Sequence, residues 1–594
     1  IRFRAVDKLG NISEEATTIV KVDKEPPTLT SITNSSNGNW STSDIKITLN
    51  GTDNQSGVLK YQIKYSSNSN TWTDLSSNSN TDTWSAQRNE TVYYRVVDKV
   101  GNVSSEKSTV IKLDKTNPTA KISASVSNNT ITVSASGSSD TNSGIKKYEY
   151  SKDNKTYYSS TSTTYNFTGL NDGTYTLYLR VTDNAGRSTT VSTSAVVAYQ
   201  NVYVSSSGND SSGNGSSSKP YATIAKAYTK VKSGGSVILL SNLTQTSQAN
   251  FNTSGKSVTL KSNGSSIYTI TRGSGLTSGS IISFYNSSTT TITNVKFNGN
   301  NVSSKQPLLV SSGSATVNLN SGVTIQNALN TATYSGGGFS ALSSSTLNIN
   351  GATITSNKSN NQGAGLYINT ATLNFNSGTI SNNSFTTTSG YGAGILGWQA
   401  TVNIKGGTIL GNTATADGGG IWVGGNSGKM TFNMTAGTIT GNKANGCGGI
   451  DISSDSNASN TIGTISGGTI QNNTASAQGG GLCIMRATTT ITNVNITGNT
   501  VTWWGGGIAV WNTAILYFKG GTVQNNTANG NAGGIDVSTG ASRLYMQGGK
   551  VINNKCTSTE HGGIGGINIS KDSGSSYSYS SGTISGNTPI NSNV

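Results

Sequence analysis

Residues 401–425 read TVNIKGGTILGNTATADGGGIWVGG, and residues 431–452 answer with TFNMTAGTITGNKANGCGGIDI. Both stretches contain an alternating strand, a small-residue step, Thr-Ile, Gly-Asn, a loop, and a glycine run ending in Ile. The unit recurs from about residue 290 onward. Its Thr-Ile element places an apolar residue at Phe297, Ile325, Ile354, Ile380, Ile409, Ile439, Ile470, Ile496, Val523, Val551 and Ile584, in steps of 26 to 33 residues. A third element, after Gly-x-Gly, begins at Phe339, Leu366, Ile395, Ile421, Ile450, Leu482, Ile508, Ile535 and Ile567. Three short strands at this period predict coils stacked into a parallel β-helix. A single coil cannot bury its inward Ile, Val or Leu, whereas stacking at about 4.8 Å joins them into one apolar column.

Three residues after the Thr-Ile apolar position comes Asn300, Asn357, Asn383, Asn412, Asn442, Asn473, Asn499, Asn526, Asn554 or Asn587, with Ala328 the exception. Stacked asparagines can bond to one another from coil to coil, so these are expected to form a structural ladder. Asn also tolerates the left-handed backbone of a sharp corner, and the glycine runs are expected to supply positive φ.

Upstream, residues 202–240 carry VYVSSSGND, then KPYATIAKAY, then GGSVILL. Ala222, Ala225, Ala227, Tyr228 and Val231 fit one short amphipathic helix over the open end of the stack, which a solenoid needs for solubility. This segment resembles the N-terminal cap of pectin-lyase-fold proteins, and the coils resemble the repeats of polymorphic bacterial surface proteins and adhesins. The resemblance implies a right-handed β-helix. It leaves activity open, because that fold carries lyases, glycoside hydrolases, tailspikes and adhesins alike.

The first 200 residues repeat with a period near 90. Arg4-Ala-Val-Asp-Lys-Leu-Gly10-Asn11 matches Arg95-Val-Val-Asp-Lys-Val-Gly101-Asn102 and Arg180-Val-Thr-Asp-Asn-Ala-Gly186. A second signature, Asp53-x-x-Ser56-Gly57, returns as Asp140-x-x-Ser143-Gly144. Short alternating strands with turn signals between them predict β-sandwiches. These units resemble the tandem immunoglobulin-like (Ig-like) domains of Gram-positive surface proteins.

The fold expected is all-β: Ig-like β-sandwiches followed by a right-handed parallel β-helix solenoid. The divisions are the C-terminal part of an Ig-like domain at 1–24, sandwiches at 25–117 and 118–199, the cap at 200–235 and the β-helix at 236–594. The first unit holds only its last strands, so the chain reads as a fragment whose missing N-terminal side would carry a signal peptide and further modules. Pro26-Pro27 and Pro118 stiffen the junctions, which suits a stalk. Acidic pairs there, Asp23 with Glu25 or Asp98 with Asp114, are candidates for structural calcium, against the ordinary use of Asp in turns.

Composition narrows the function. One histidine in 594 residues disfavours His-based catalysis or a His-rich metal site. The net charge of +15 arises largely in residues 201–594, where nineteen Lys and Arg face seven acids. No basic cluster interleaves with aromatics, so nucleic acid is not an expected partner. Thinly spread lysine suits weak attraction to anionic polymers. No apolar run approaches the roughly 18 residues a membrane helix needs, so no membrane insertion is expected in this segment. Cys447, Cys483 and Cys556 are too few for a disulfide framework. Cys447 and Cys483 fall at different points of the repeat and are expected to lie too far apart to bridge, as buried free thiols.

The acids of the solenoid are Asp210, Asp417, Asp451, Asp455, Asp536, Glu560 and Asp572. Alternation points Asp451 and Asp536 outward into solvent, three coils or roughly 14 Å apart. That exceeds the roughly 5–9.5 Å of paired glycosidase carboxylates, so no catalytic residue and no solenoid metal site is assigned. The aromatics offer a binding surface instead. Trp398, Trp422 and Trp511 should project outward near Asp451, Arg486, the Trp503–Trp504 pair and Asp536, as a set that stacks on sugar rings and bonds their hydroxyls. The competing expectation is that loop 424–430 or 453–461 folds over the tryptophans as a satellite core. Thr379, Thr408, Thr438, Thr469 and Thr522 form one outward row, which exposed strands favour in any case.

The reading is a non-catalytic adhesin or structural protein, extracellular and at the cell surface or wall. An Ig-like stalk presents a rigid β-helix to glycans or to a host or neighbouring cell. The alternatives are a polysaccharide-active lyase or glycoside hydrolase, or a phage tail fibre or tailspike, for which no trimerisation signal is present.

Overall fold

The computed structural model describes every residue except 77–78, 128–129, 172, 198, 334, 427–428, 455–460, 559–562 and 594, with the side chains of Tyr199 and Asp572 also outside it. Asp455 and Glu560 therefore lie outside the described residues. The chain divides into two compact units, 1–197 and 198–594. It is a sandwich region followed by a parallel β-solenoid of about eleven turns.

In the first unit, Thr28–Asn34, Ile45–Thr52 and Thr81–Trp84 form a three-stranded sheet. Thr73–Asp74, Val58–Lys64, Arg88–Asp98 and Lys107–Leu113 form a four-stranded one. Alternation along each strand sends Ile45, Ile47 and Leu49 from one sheet against Ile63, Val92, Tyr94 and Val96 from the other. The next module repeats this with Ser123–Ser127, Thr130–Ser134 and Thr164–Phe167 opposite Tyr158–Ser160, Ile145–Ser151, Gly173–Asp183 and Ser188–Val197. The repeated Asp-x-x-Gly motif has a local cause. Asp98 Oδ1 accepts from the backbone N–H groups of Val100, Gly101 and Asn102 at 2.9, 2.7 and 2.8 Å, closing a hairpin in which Gly101 takes φ +100°.

In the second unit, a helix over Ile224–Lys230 opens the stack. Thr223 caps it by accepting from Lys226 N–H, and Ile224, Ala227 and Tyr228 are buried. Tyr228 lies flat on Phe251 of the first coil, with ring centroids 4.2 Å apart. Thereafter each coil adds strands to a 23-stranded and a 12-stranded parallel sheet. Register runs coil to coil, as in Ile380–Ile409–Ile439–Ile470–Ile496–Val523–Val551, and these side chains form one continuous core.

The asparagine ladder runs from Asn357 to Asn587. Asn412 Nδ2 donates to Asn442 Oδ1 at 2.9 Å, and Asn442 Nδ2 donates to Asn473 Oδ1 at 2.9 Å. Each amide also donates to a backbone carbonyl, Asn442 Nδ2 to Ile409 O at 3.0 Å. Each Oδ1 also accepts a backbone N–H, as Asn442 Oδ1 does from Asn412. Two expectations need correction. The left-handed residue is the one before the ladder position (Gly411, Gly441, Asn472, Gly498, Asn525), which explains why the sequence reads Gly/Asn-Asn there. Asn300 stands outside the ladder. It is exposed at φ +53°, its N–H bonds Asn298 Oδ1, and the register place beside Ala328 belongs to Val302.

The glycine runs also divide their work. In Gly418-Gly419-Gly420 only Gly418 has positive φ, at +69°. The other two are glycine because a Cβ would stand 2.5 Å from Gly448 O and 2.7 Å from Gly449 O on the next coil.

Candidate functional site

The outward column of the twelve-stranded sheet passes, coil by coil, through Tyr367, Leu396, Trp422, Asp451, Cys483, Ala509, Asp536 and Asn568. Alternation places all of them outward, yet none is exposed: Trp422 is 6% accessible, Asp451 4% and Asp536 0%. The loop that precedes each glycine run folds back over this face. Its residues stack in parallel from coil to coil, as in Gln362–Tyr391 and Gln478–Trp504–Asn531. A groove with its own floor and wall results, and the reading of Asp451 and Asp536 as solvated surface is corrected.

Two cavities open along the groove. The first, of 240 Å³, lies among Gln362, Tyr391, Leu396, Trp398 and Trp422. Trp398 stacks on Trp422 at 5.7 Å and 16°, and Tyr391 meets Trp422 edge-on at 6.1 Å. Trp422, Leu396 and Tyr367 are a satellite core, so the expectation of an exposed Trp422 gives way to packing. The second cavity, of 210 Å³, is lined by Trp504, Trp511, Asp536, Gln478, Asn531 and Ser538 among others. Trp504 is 39% exposed here, and Trp503, 50% exposed with its ring centroid 6.3 Å from that of Trp504, lies outside the lining. The indole N–H of Trp511 has no hydrogen-bond partner among the described residues. Asp536 accepts from Ser538 Oγ at 2.8 Å and from Asn568 Nδ2 at 2.7 Å, and burial raises its pKa despite both bonds. Arg486 belongs to neither lining; its guanidinium donates to Ser454 O at 3.5 Å.

Between the cavities lies what the sequence reading missed. Cys447 and Cys483 form a disulfide, with Cα atoms 6.0 Å apart, so only Cys556 remains a free, buried thiol. Their different places in the repeat are what allow it: Cys447 sits on the covering loop of one coil and Cys483 on the floor of the next. Asp417, also on the covering loop, comes within 4.8 Å of Asp451. The available signal was that Asp417 and Cys447 both stand just before glycine runs, whereas Asp451 and Cys483 stand just after them on the following coil.

Burial, followed by the charge of Asp417, drives the Asp451 pKa well up, although Ser453 donates to it. Burial raises Asp417 as well. Two carboxyls this close hold one proton between them in preference to two charges. Asp451 is enclosed, and Asp417 is half-buried.

In the sandwich unit, the acids gather by module. Asp23, Asp53 and Asp98 form one triad and Asp114, Asp140 and Asp183 another, the oxygens of each lying within 4.8 Å of one another. Asp98 thus joins Asp23, and Asp114 joins the following module. Glu25 belongs to neither triad.

No protein-family model matches the chain, and no curated protein matches it. Among solved structures, the PKD1 domain of the Vibrio cholerae metalloprotease PrtV is 23% identical over 14% of this chain and 98% of its own, with a TM-score of 0.13. The fibronectin(III)-like modules of Clostridium thermocellum CbhA are 17% identical over 28% of this chain and 94% of their own, at 0.18. A structure described for the promiscuous specificity of carbohydrate-binding modules from the β-sandwich superfamily is 27% identical over 17% of this chain and 40% of its own, at 0.15. These are partial likenesses at low scores. The fold stands on strand register and burial.

Proposed function

We propose that the chain works outside the cell as a non-catalytic, glycan-binding surface protein, its sandwiches serving as a stalk and its solenoid as the binding body. The observation that carries this is the second cavity. Trp504 and Trp511 flank a space of 210 Å³ together with Gln478 and Asn531, and the Trp511 indole N–H lacks a partner among the described residues. Aromatic faces beside amides suit a sugar ring, whose faces stack and whose hydroxyls both donate and accept. The disulfide supports an oxidising compartment, where such bonds persist. No helix among the described residues is long and apolar enough to cross a membrane.

A glycan array probed with the full chain tests the reading, with new reducing and unsaturated ends monitored in the same wells. Retention of a glycan family that disappears in Trp504→Ala, without new ends, is the expected result. Turnover would replace the reading with a polysaccharide-active enzyme. Retention that survives Trp504→Ala and Trp511→Ala would move the site elsewhere.

A further inference from the structure

The two aspartate triads of the sandwich unit are built alike but end differently. In each, the linker aspartate accepts from the next module's loop: Asp23 Oδ2 from Ser56 N–H at 3.0 Å, and Asp114 Oδ2 from Ser143 N–H at 3.2 Å. In each, the loop aspartate accepts from a glycine: Asp53 Oδ1 from Gly57 N–H at 2.5 Å, and Asp140 Oδ1 from Gly144 N–H at 2.7 Å. The third member closes a hairpin, Asp98-Lys99-Val100-Gly101-Asn102 in one module and Asp183-Asn184-Ala185-Gly186-Arg187 in the next.

That last segment carries the difference. At the first triad, Asn102 Nδ2 donates to Asp98 Oδ2 at 2.7 Å, and the Lys99 ammonium stands over Gly57. Both carboxylate oxygens of Asp98 are therefore satisfied. At the second triad, Arg187 replaces the asparagine and turns its guanidinium away to Asn117 Oδ1, at 2.9 Å. Asn184 replaces the lysine. Asp183 Oδ1 keeps its bond from Arg187 N–H at 2.9 Å, but Asp183 Oδ2 is left with no donor, on a residue with 0% exposure. Among the described residues, no Lys or Arg forms an ion pair with either triad, so the unpartnered Asp183 oxygen is what distinguishes the second. A buried carboxylate oxygen without a donor is costly and calls for a partner.

We propose that Asp114, Asp140 and Asp183 bind a hard divalent cation, calcium, and that the first triad, closed by Asn102, does not. The ligand set is oxygen only, which selects calcium over softer metals. Oxygens within 4.8 Å of one another match about twice a calcium–oxygen distance of about 2.3–2.6 Å, so one ion reaches all three. The ion would tie Asp114, one residue beyond the last strand of one sandwich, to two loops of the next, and so stiffen that joint.

Calorimetric titration of calcium into the metal-stripped full chain tests this, with the unfolding of the sandwich unit followed in parallel. The expected result is one calcium per chain and a rise in melting temperature reversed by chelator. Arg187→Asn restores the hairpin of the first module while keeping all three carboxylates, and should weaken binding by about tenfold or more. Asp183→Asn should abolish it; were that variant to misfold, Arg187→Asn still decides. No binding up to about 5 mM, beyond the weak end of extracellular calcium modules at about 10⁻³ M, would overturn the proposal. So would two equivalent sites, or affinity unchanged in Arg187→Asn.

Discussion

The two cavities of the groove use the same residue types to opposite ends. Trp422 has Trp398 flat against one face and Tyr391 at its edge, and is 6% exposed. Trp504 leaves 39% of its surface to solvent, opposite a Trp511 whose N–H bonds nothing described. The covering loop sets the contrast. At the first cavity it lays Tyr391 over the floor; at the second it brings Trp504 itself to the rim above the small Ala509. A tryptophan on a β-solenoid is therefore core or contact surface according to the loop one coil away.

The largest expected effect is at Trp422. Trp422→Ala should destabilise the solenoid by about 3–5 kcal/mol, measured by chemical denaturation, because it empties a satellite core. A loss below about 1 kcal/mol would mean that Trp422 is contact surface like Trp504. Next comes the staple between the two. Cys447→Ser with Cys483→Ser should cost about 2–4 kcal/mol and expose the covering loop to protease. If both cavities behave as before in that variant, they are independent.

A smaller effect separates the carboxyls by pH. Asp451 titrates higher folded than unfolded, so its contribution is fully present in acid and is lost as pH rises from about 4 through its folded value. Solenoid melting temperature should therefore fall as pH rises above about 4, and less steeply in Asp451→Asn. Glu149 in the sandwich unit runs the other way. Bonds from Arg180 and then Lys147, against burial, hold its pKa down to about 2, so its contribution is present above about 4.5 and lost as pH falls toward 2. A single pH trend shared by both units would contradict this. The smallest stability effect belongs to Trp504→Ala, within about 0.5 kcal/mol, as expected of a surface side chain. That variant should nonetheless lose glycan retention, and a large loss of stability would class Trp504 with Trp422.

The inward pattern was legible because stacking forces it. Each coil must present an apolar residue at the same register, so Ile409, Ile439 and Ile470 announce the core by spacing alone. The buried ladder was legible for the same reason, since an amide satisfied by its copy on the next coil has to recur. Asn300 misled because it keeps the spacing but not the register. A one-dimensional period cannot tell which turn residue faces the axis.

The outward face was legible only in direction. Alternation correctly sends Trp422, Asp451 and Asp536 out of the core, but it does not say whether outward means solvated, as expected of the two aspartates, or covered by a loop, the competing expectation for the tryptophan. Whether a loop returns to cover such a residue depends on contacts between chain segments about 30 residues apart, and no period encodes them. The Cys447–Cys483 bond, the Asp417–Asp451 proton pair and the second aspartate triad all arise from such contacts. Periodicity and local turn chemistry fix the coils, the sandwiches and their hairpins, because those obey rules within a few residues or one repeat. The groove, its buried and exposed tryptophans and the unpartnered Asp183 oxygen were decided by the folded chain, where burial changes what a carboxyl or an indole must do to be satisfied.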